Sequence, residues 1–358
     1  MGAHRARPVV GLAVGRGTGG ELADVFENVL TRIGLLCSTE IGITRSPRTY
    51  HSYFSLKDAG GTDRIRRLTD EDAGHYEQFC REQARAGVSA VFRTAINAQS
   101  LYLVRERLRA VKVDPVTPSL LLVRDQAQGF YTGENRHTPD TVTRTMVFSK
   151  EITEKVLTFA VRRARAEWPD DGPARIVLAY KFHLLDGAFG AWVTEIAGRL
   201  GVAVELGQPD TVNRNLVEHG LAPRTLLVAG NEWADIMHVV LLAAFGGERQ
   251  ENRYTENVHL HPDVDGLVEY QTVHGSADDL AGTGRVNPTA TLRAAAAIAE
   301  RHAGCPGAIT AMEQALREAR DRGVGTPDAG GRHTTTEVVA EVLDALDPAP
   351  DRVSVAGA

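Results

Sequence analysis

The sequence predicts an α/β protein built around a largely parallel sheet. Short apolar, β-branched runs alternate with longer segments whose apolar residues recur at helical spacing, and that alternation is the signature of βαβ units. The chain opens on a strand, a glycine turn and a helix, and its 358 residues suit about two domains. Hydrophobic residues make up 43% and charged residues 24%, which fits a folded globular chain and excludes a disordered or fibrous one.

Pro8 to Val14 (PVVGLAV) reads as the first strand, and Leu22, Val25, Phe26, Val29 and Ile33 mark one face of the helix that follows. Asp70 to Ala86 reads as helix, Ser89 to Arg93 as strand and Val113 to Val123 as a further strand region. Ile152 to Trp168 has the pattern of a long amphipathic helix, and Ala174 to Lys181 (ARIVLAYK) that of a buried strand. Phe189 to Leu200 reads as helix, VAVEL as strand, Val212 to Gly220 as helix and Thr225 to Gly230 (TLLVAG) as strand. Beyond a stretch rich in glycine and histidine, Thr289 to Ala303, Ala308 to Arg322 and Thr334 to Leu346 read as three helices. The tail from Asp347 is expected to fray.

A net charge of −6 argues against a nucleic-acid binder or a polybasic membrane surface. The lysines are Lys57, Lys112, Lys150, Lys155 and Lys181, against a large excess of arginine, so a lysine in an apolar stretch calls for a reason. Lys181, at the end of its strand, is the case singled out, because apolar surroundings desolvate an ammonium and lower its pKa. Cys37, Cys80 and Cys305 form no CxxC pair, so neither a zinc knuckle nor a disulfide framework is expected. The N-terminus lacks the apolar core of an export signal, and the longest apolar run, Val239 to Phe245, is too short for a bilayer. A cytoplasmic protein without membrane or nucleic-acid partners is expected.

Gly15, Gly17 and Gly20 satisfy G-x-G-x-x-G between strand and helix, with Glu40 about twenty residues on. Alone, that favours a nucleotide-binding turn about as much as a tight turn needing glycine only for its backbone. The segment Val273 to Ile298 (VHGSADDLAGTGRVNPTATLRAAAAI) decides. It closely resembles the cofactor loop of the isocitrate and isopropylmalate dehydrogenases, the β-decarboxylating dehydrogenase family. LLVRDQAQGFYTGE (Leu121 to Glu134), YKFHLLDG (Tyr180 to Gly187), QPDTV (Gln208 to Val212), AGNEWADI (Ala229 to Ile236) and GTPDAGGRHTTTE (Gly325 to Glu337) extend the resemblance. In its light Gly15 to Glu21 looks like a variant of the family's first glycine turn, and the Rossmann spacing becomes coincidence.

The resemblance implies an isopropylmalate dehydrogenase-like fold: a discontinuous, large cofactor-binding domain (1–104 and 245–358) and a central substrate and dimerisation domain (105–244), in a homodimer. It implies Tyr131 as the acid that protonates the enolate, and Lys181 as the proton-transfer lysine, given with Asp210 across the dimer interface. Arg124 and Arg109 would grip substrate carboxylates in bidentate forks, Arg109 being preferred to Arg105 and Arg107, and Asn97 would line the pocket. Asp210 and Asp235 match two of three carboxylates that hold Mg²⁺ or Mn²⁺. NAD would be bound by His274, Gly275, Ser276, Ala277, Asp279 and Asn287, with Asp279 accepting from the ribose hydroxyls and repelling a 2′-phosphate.

The sequence also departs from the family. Val239 stands at the third metal carboxylate, beside His238, which reads as a plain polar residue at a helix start. Ala95 replaces the pocket serine, the first arginine of the pocket has no counterpart, and Gln271-Thr272 replaces glutamate-proline. His259 and His261 read as solvated loop histidines. The expected activity is NAD-dependent, metal-assisted oxidative decarboxylation of a substituted malate or related 2-hydroxy acid in a specialised pathway. A catalytically inactive regulatory homologue and a hydroxy-acid dehydrogenase that does not decarboxylate are the alternatives.

Overall fold

The structure is a computed structural model, and it describes residues 7–246, 248–273 and 275–346. In chain order it opens with β1 (Val9–Gly15), α1 (Gly19–Leu36), β2 (Gly42–Tyr50), α2 (Tyr53–Asp58), α3 (Thr62–Arg85) and β3 (Ala90–Arg93). There follow α4 (Ala98–Arg107), the hairpin β4 (Ala110–Thr117) and β5 (Leu120–Asp125), the two-stranded ribbon β6 (Glu134–His137) and β7 (Val142–Thr145), and α5 (Lys150–Glu167). Next come β8 (Arg175–Ala179), α6 (Ala188–Leu200), β9 (Glu205–Gly207), α7 (Pro209–His219), β10 (Thr225–Gly230) and α8 (Asn231–Leu241). The chain closes with β11 (Tyr254–His259), β12 (Val268–Thr272), α9 (Thr289–His302), α10 (Ala308–Asp321) and α11 (Thr335–Leu346).

Two compact units result. The first takes in the chain up to Ser100, Gln250–Thr255 and the chain from Leu267 onward; the second is Leu101–Arg249 with Glu256–Gly266. In the first unit the strands run in the order β2-β1-β3-β12, all parallel. Helices α1, α9, α10 and α11 bury their apolar stripes there around Leu12, Phe26, Phe92 and Met312, with Phe26 stacked on Phe92 at 4.2 Å. In the second unit the order is β11-β4-β5-β10-β8-β9, antiparallel across β11-β4-β5 and parallel from β5 to β9. Leu121, Val123, Leu178 and Val228 pack one face against α5 and α6, while Leu122, Val177, Leu227 and Met237 pack the other against α7 and α8.

Three differences from the sequence reading have physical reasons. The strand region Val113 to Val123 is two antiparallel strands, because Pro118 and Ser119 turn the chain back on itself. Strand β2 escapes an apolar-pattern reading because it is a sheet-edge strand with alternating exposure, and the register shifts between Leu12 and Val14, opposite the stretch holding Pro47, which has no N–H to give. His259 is buried at 1% exposure in β11 rather than solvated in a loop. No helix among the described residues is long and apolar enough to cross a membrane.

Candidate active site

The second unit builds its chemistry where β5 and β10 meet α8. All six residues of β10 are buried, and the chain passes from Gly230 directly into the helix. Asn231, Asp235 and His238 then recur at helical spacing on one side of α8. Arg124, near the end of β5 and only 7% exposed, meets the first two: its Nε donates to Asn231 Oδ1 at 2.9 Å and its Nη1 to Asp235 Oδ1 at 2.5 Å. Tyr131 donates to the other Asp235 oxygen at 3.3 Å, and Arg124 lies 5.5 Å from the centre of its ring.

The loop carrying Tyr131 is fixed from α8. Glu232 accepts a hydrogen bond from the Phe130 N–H at 3.0 Å, and Gly129 adopts φ +108°, where a Cβ would also come within 2.8 Å of the Glu232 carboxylate. Glycine is therefore required at that turn. Tyr131 stacks on Tyr102 of α4 with ring centres 4.7 Å apart, and Arg105, one turn along α4, lies 5.8 Å from the Tyr102 ring. Burial, then the nearby Asp235 carboxylate, pushes the Tyr131 hydroxyl above its ordinary value, so it keeps its proton.

Lys181 and Asp210 form a second group. Lys181 Nζ donates to Asp210 at 2.7 Å and to Gln208 Oε1 at 3.3 Å, and lies 5.5 Å from the centre of the Trp233 ring. The Lys181 hydrogen bond holds the Asp210 carboxyl below its usual range. Among the described residues no hydrogen bond or ion pair joins this group to the one around Arg124.

Two residues lie in surroundings other than those expected. Arg109 does not reach the Tyr131 group: it takes φ +52° where the chain reverses from α4 into β4, and it pairs with Glu151 of α5 at 2.7 Å. The arginine beside the aromatic pair is Arg105, 8% exposed. His238 lies in the last turn of α8, 7% exposed, with Nε2 2.6 Å from Asp114 Oδ2, and is no simple polar residue at a helix start. The sequence reading also passed over Lys112. It lies directly across the hairpin from Arg124, closely surrounded by protein yet partly accessible. The lysine whose pKa burial depresses, to about 8, is this one. The criterion applied to Lys181, a rare lysine in an apolar run, would have found it in AVKVDP.

In the first unit the expected cofactor loop folds against the glycine turn. Thr18 donates through its N–H at 3.0 Å and its hydroxyl at 2.9 Å to the Ser276 carbonyl. Gly17, at φ +75°, comes so close that a Cβ there would lie 2.6 Å from the same oxygen. A Cβ on Gly15 would fall 1.9 Å from the Ala95 carbonyl, so these glycines serve close backbone approach. Ala277 takes a left-handed conformation at φ +41°, and Ser52 donates to Asp278 at 2.5 Å. Gly275 and Asp279 are exposed, and Asp279 has no hydrogen-bond or ion-pair partner among the described residues. Asn287 is tied down, donating to Asn252 and Asp328 at 2.9 Å each and accepting from the Thr289 N–H at the start of α9. Asn97, 3% exposed, spends its amide on Ser100 at the start of α4. His274 lies outside the described residues.

Residues 255–342 match the family model described as isocitrate/isopropylmalate dehydrogenase. The chain is 29% identical to an isocitrate/homoisocitrate dehydrogenase of Thermus thermophilus over 67% of its own length and 71% of that protein. It is 26% identical to one from Pyrococcus horikoshii over 67% and 65%, and 28% identical to a probable tartrate dehydrogenase/decarboxylase of Agrobacterium vitis over 67% and 70%. The match thus spans about two thirds of these relatives. In fold, an isocitrate dehydrogenase from Methylococcus capsulatus aligns over 95% of this chain and 99% of its own at TM-score 0.68 and 19% identity. A β-decarboxylating dehydrogenase from Thermococcus kodakarensis aligns over 95% and 96% at TM-score 0.63 and 22% identity. The chain is thus similar to the isocitrate/isopropylmalate dehydrogenases in its C-terminal region and shares their fold.

Against the two or three carboxylates that the sequence resemblance implies for a divalent ion, the donor set around α8 is short of oxygen. Mg²⁺ and Mn²⁺ ask for an octahedral shell rich in carboxylate and water. Helix α8 brings one carboxylate, Asp235, already engaged by Arg124 and Tyr131. One turn on stands Val239, 56% exposed, and His238 is turned to Asp114. Asp210 is closed by Lys181. Among the described residues no three groups gather as a metal site. Within one chain, the described residues do not by themselves complete a site for a divalent ion.

Proposed function

We propose that the protein is an NAD-dependent oxidoreductase that converts a substituted malate, or a related 2-hydroxy acid with a second carboxylate, to a 2-oxo acid and then releases carbon dioxide. The observation that carries this reading is the convergence of Arg124, Tyr131 and Asp235 on one end of α8, in a chain whose C-terminal third matches the dehydrogenase family. Arg124 keeps Nη2 available for an incoming carboxylate while Nε and Nη1 hold α8 in register. Tyr131, whose hydroxyl burial pushes above its ordinary value, would deliver its proton to the carbon from which carbon dioxide departs. Lys181, in its neutral form, is the group that would accept the proton of the substrate hydroxyl.

NAD, when bound, supplies the acceptor for the hydride from the hydroxyl-bearing carbon. Support comes from the first unit, where the Ser276 carbonyl is fixed by Thr18 and Asp279 is exposed and would accept from ribose hydroxyls. An exposed apolar stripe of Ile236, Val239 and Val240 on α8, at 60%, 56% and 37% exposure, supports a homodimer through that helix.

The test is NADH formation across malate, tartrate and 3-alkylmalates, with Lys181→Ala and Tyr131→Phe in parallel. Turnover on at least one acid, falling at least about 100-fold in Lys181→Ala, is expected. A specific observation favours a second reading, an inactive regulatory homologue: Asp235 and Asp210 are both closed by cations of the same chain. NAD binding without turnover on the whole panel would establish that reading instead.

A further inference from the structure

Strand β4 places Lys112 and Asp114 on one face, and the hairpin register sets Lys112 directly opposite Arg124. These three residues, with Leu122 of β5 and Ala234 and His238 of α8, line a narrow cavity with room for about one water-sized atom. Two cations facing each other across a hairpin repel unless anions lie between them. The nearby anions are committed elsewhere: Asp114 lies 2.6 Å from His238, and Asp235 is held by Arg124 and Tyr131. Lys112 itself makes no hydrogen bond or ion pair among the described residues, and it retains solvent access. An ammonium that is surrounded by protein, opens on a cavity and feels Asp114 and Asp235 only at a distance has a donor position open to an anionic oxygen from outside the chain.

We propose that Lys112 and Arg124 together form a carboxylate subsite that holds one end of the hydroxy acid without a divalent ion. The inference rests on the dehydrogenase reading above and specifies how that site receives its substrate. A carboxylate oxygen enters the cavity, Lys112 donates to it, and Arg124 donates through Nη2 to the second oxygen. The pair His238 and Asp114 lines the same cavity, with Asp114 held 2.6 Å from the His238 ring. The charge that the α8 donor set cannot supply through a metal is supplied by a side chain of β4.

The experiment measures binding of malate and 3-methylmalate to the full chain by calorimetry, in EDTA and in excess Mg²⁺, with and without NAD. Lys112→Met and Lys112→Arg are compared, and circular dichroism checks that each is folded. The subsite predicts binding in EDTA that changes less than about twofold on adding Mg²⁺, a loss of about 10- to 100-fold in Lys112→Met, and retention within about threefold in Lys112→Arg. Binding that requires Mg²⁺, or that is unchanged in Lys112→Met, overturns the subsite and leaves the dehydrogenase reading standing. Absence of malate binding in every condition removes both.

Discussion

Replacing Lys112 by methionine should make the protein more stable at neutral pH. Burial, reinforced by Arg124 and Arg105 and opposed by Asp114 and Asp235, lowers this ammonium from 10.5 to about 8. In the unfolded chain Lys112 titrates at its ordinary value. Between about pH 8 and 10.5 the unfolded state therefore binds more protons, and stability contributed by this group rises with pH. Below about pH 8 the native protein carries the full cost of the charge. That cost is about 3 kcal/mol at 1.36 kcal/mol per pKa unit, trimmed to about 1–2 kcal/mol because solvent reaches part of the side chain. Methionine fills similar volume without the charge. Urea unfolding followed by tryptophan fluorescence at pH 7 and pH 10 should show Lys112→Met ahead by about 1–2 kcal/mol at pH 7 and less at pH 10. Equal or lower stability at pH 7, or an advantage that grows with pH, would refute the reasoning.

Other expectations follow from the same geometry. Asp125, buried and accepting from Ala127, Gln128 and Tyr180, is pushed up from 3.8 to about 6. Between those values the native state binds more protons, so wild-type stability should fall by about 2–3 kcal/mol as pH rises from 4 to 6, and Asp125→Asn should flatten that stretch of the pH–stability curve. Val239→Asp restores a carboxylate one turn from Asp235, and should create a Mg²⁺-dependent rise in melting temperature that wild type lacks. Ile236→Asp with Val240→Asp places charge on the apolar stripe of α8 and should shift the mass measured by light scattering from dimer to monomer.

Much of the fold was legible because its strands announce themselves locally. TLLVAG and ARIVLAYK are continuous apolar runs, and they are the interior strands β10 and β8. What was hidden depends on tertiary context. Strand β2 carries little apolar pattern because it lies at a sheet edge, and α3, read as helix from Asp70, begins earlier, at Thr62, in a polar stretch. In the site, Arg124, Tyr131 and Asp235 come together, whereas Arg109, left-handed at the α4–β4 junction, pairs with Glu151 of α5. The pairing of Asp114 with His238 joins residues far apart in sequence, and Lys112 takes its meaning from the strand register that sets it opposite Arg124. Neither relation has a local signature.

The measurement that bears most directly on the proposed activity is the ratio of NADH to carbon dioxide released from a turned-over 3-alkylmalate, with Tyr131→Phe beside wild type. Oxidation followed by decarboxylation predicts one carbon dioxide per NADH in wild type, and in Tyr131→Phe a slower overall reaction. NADH formed without carbon dioxide, or a Tyr131→Phe variant indistinguishable from wild type, would contradict the account.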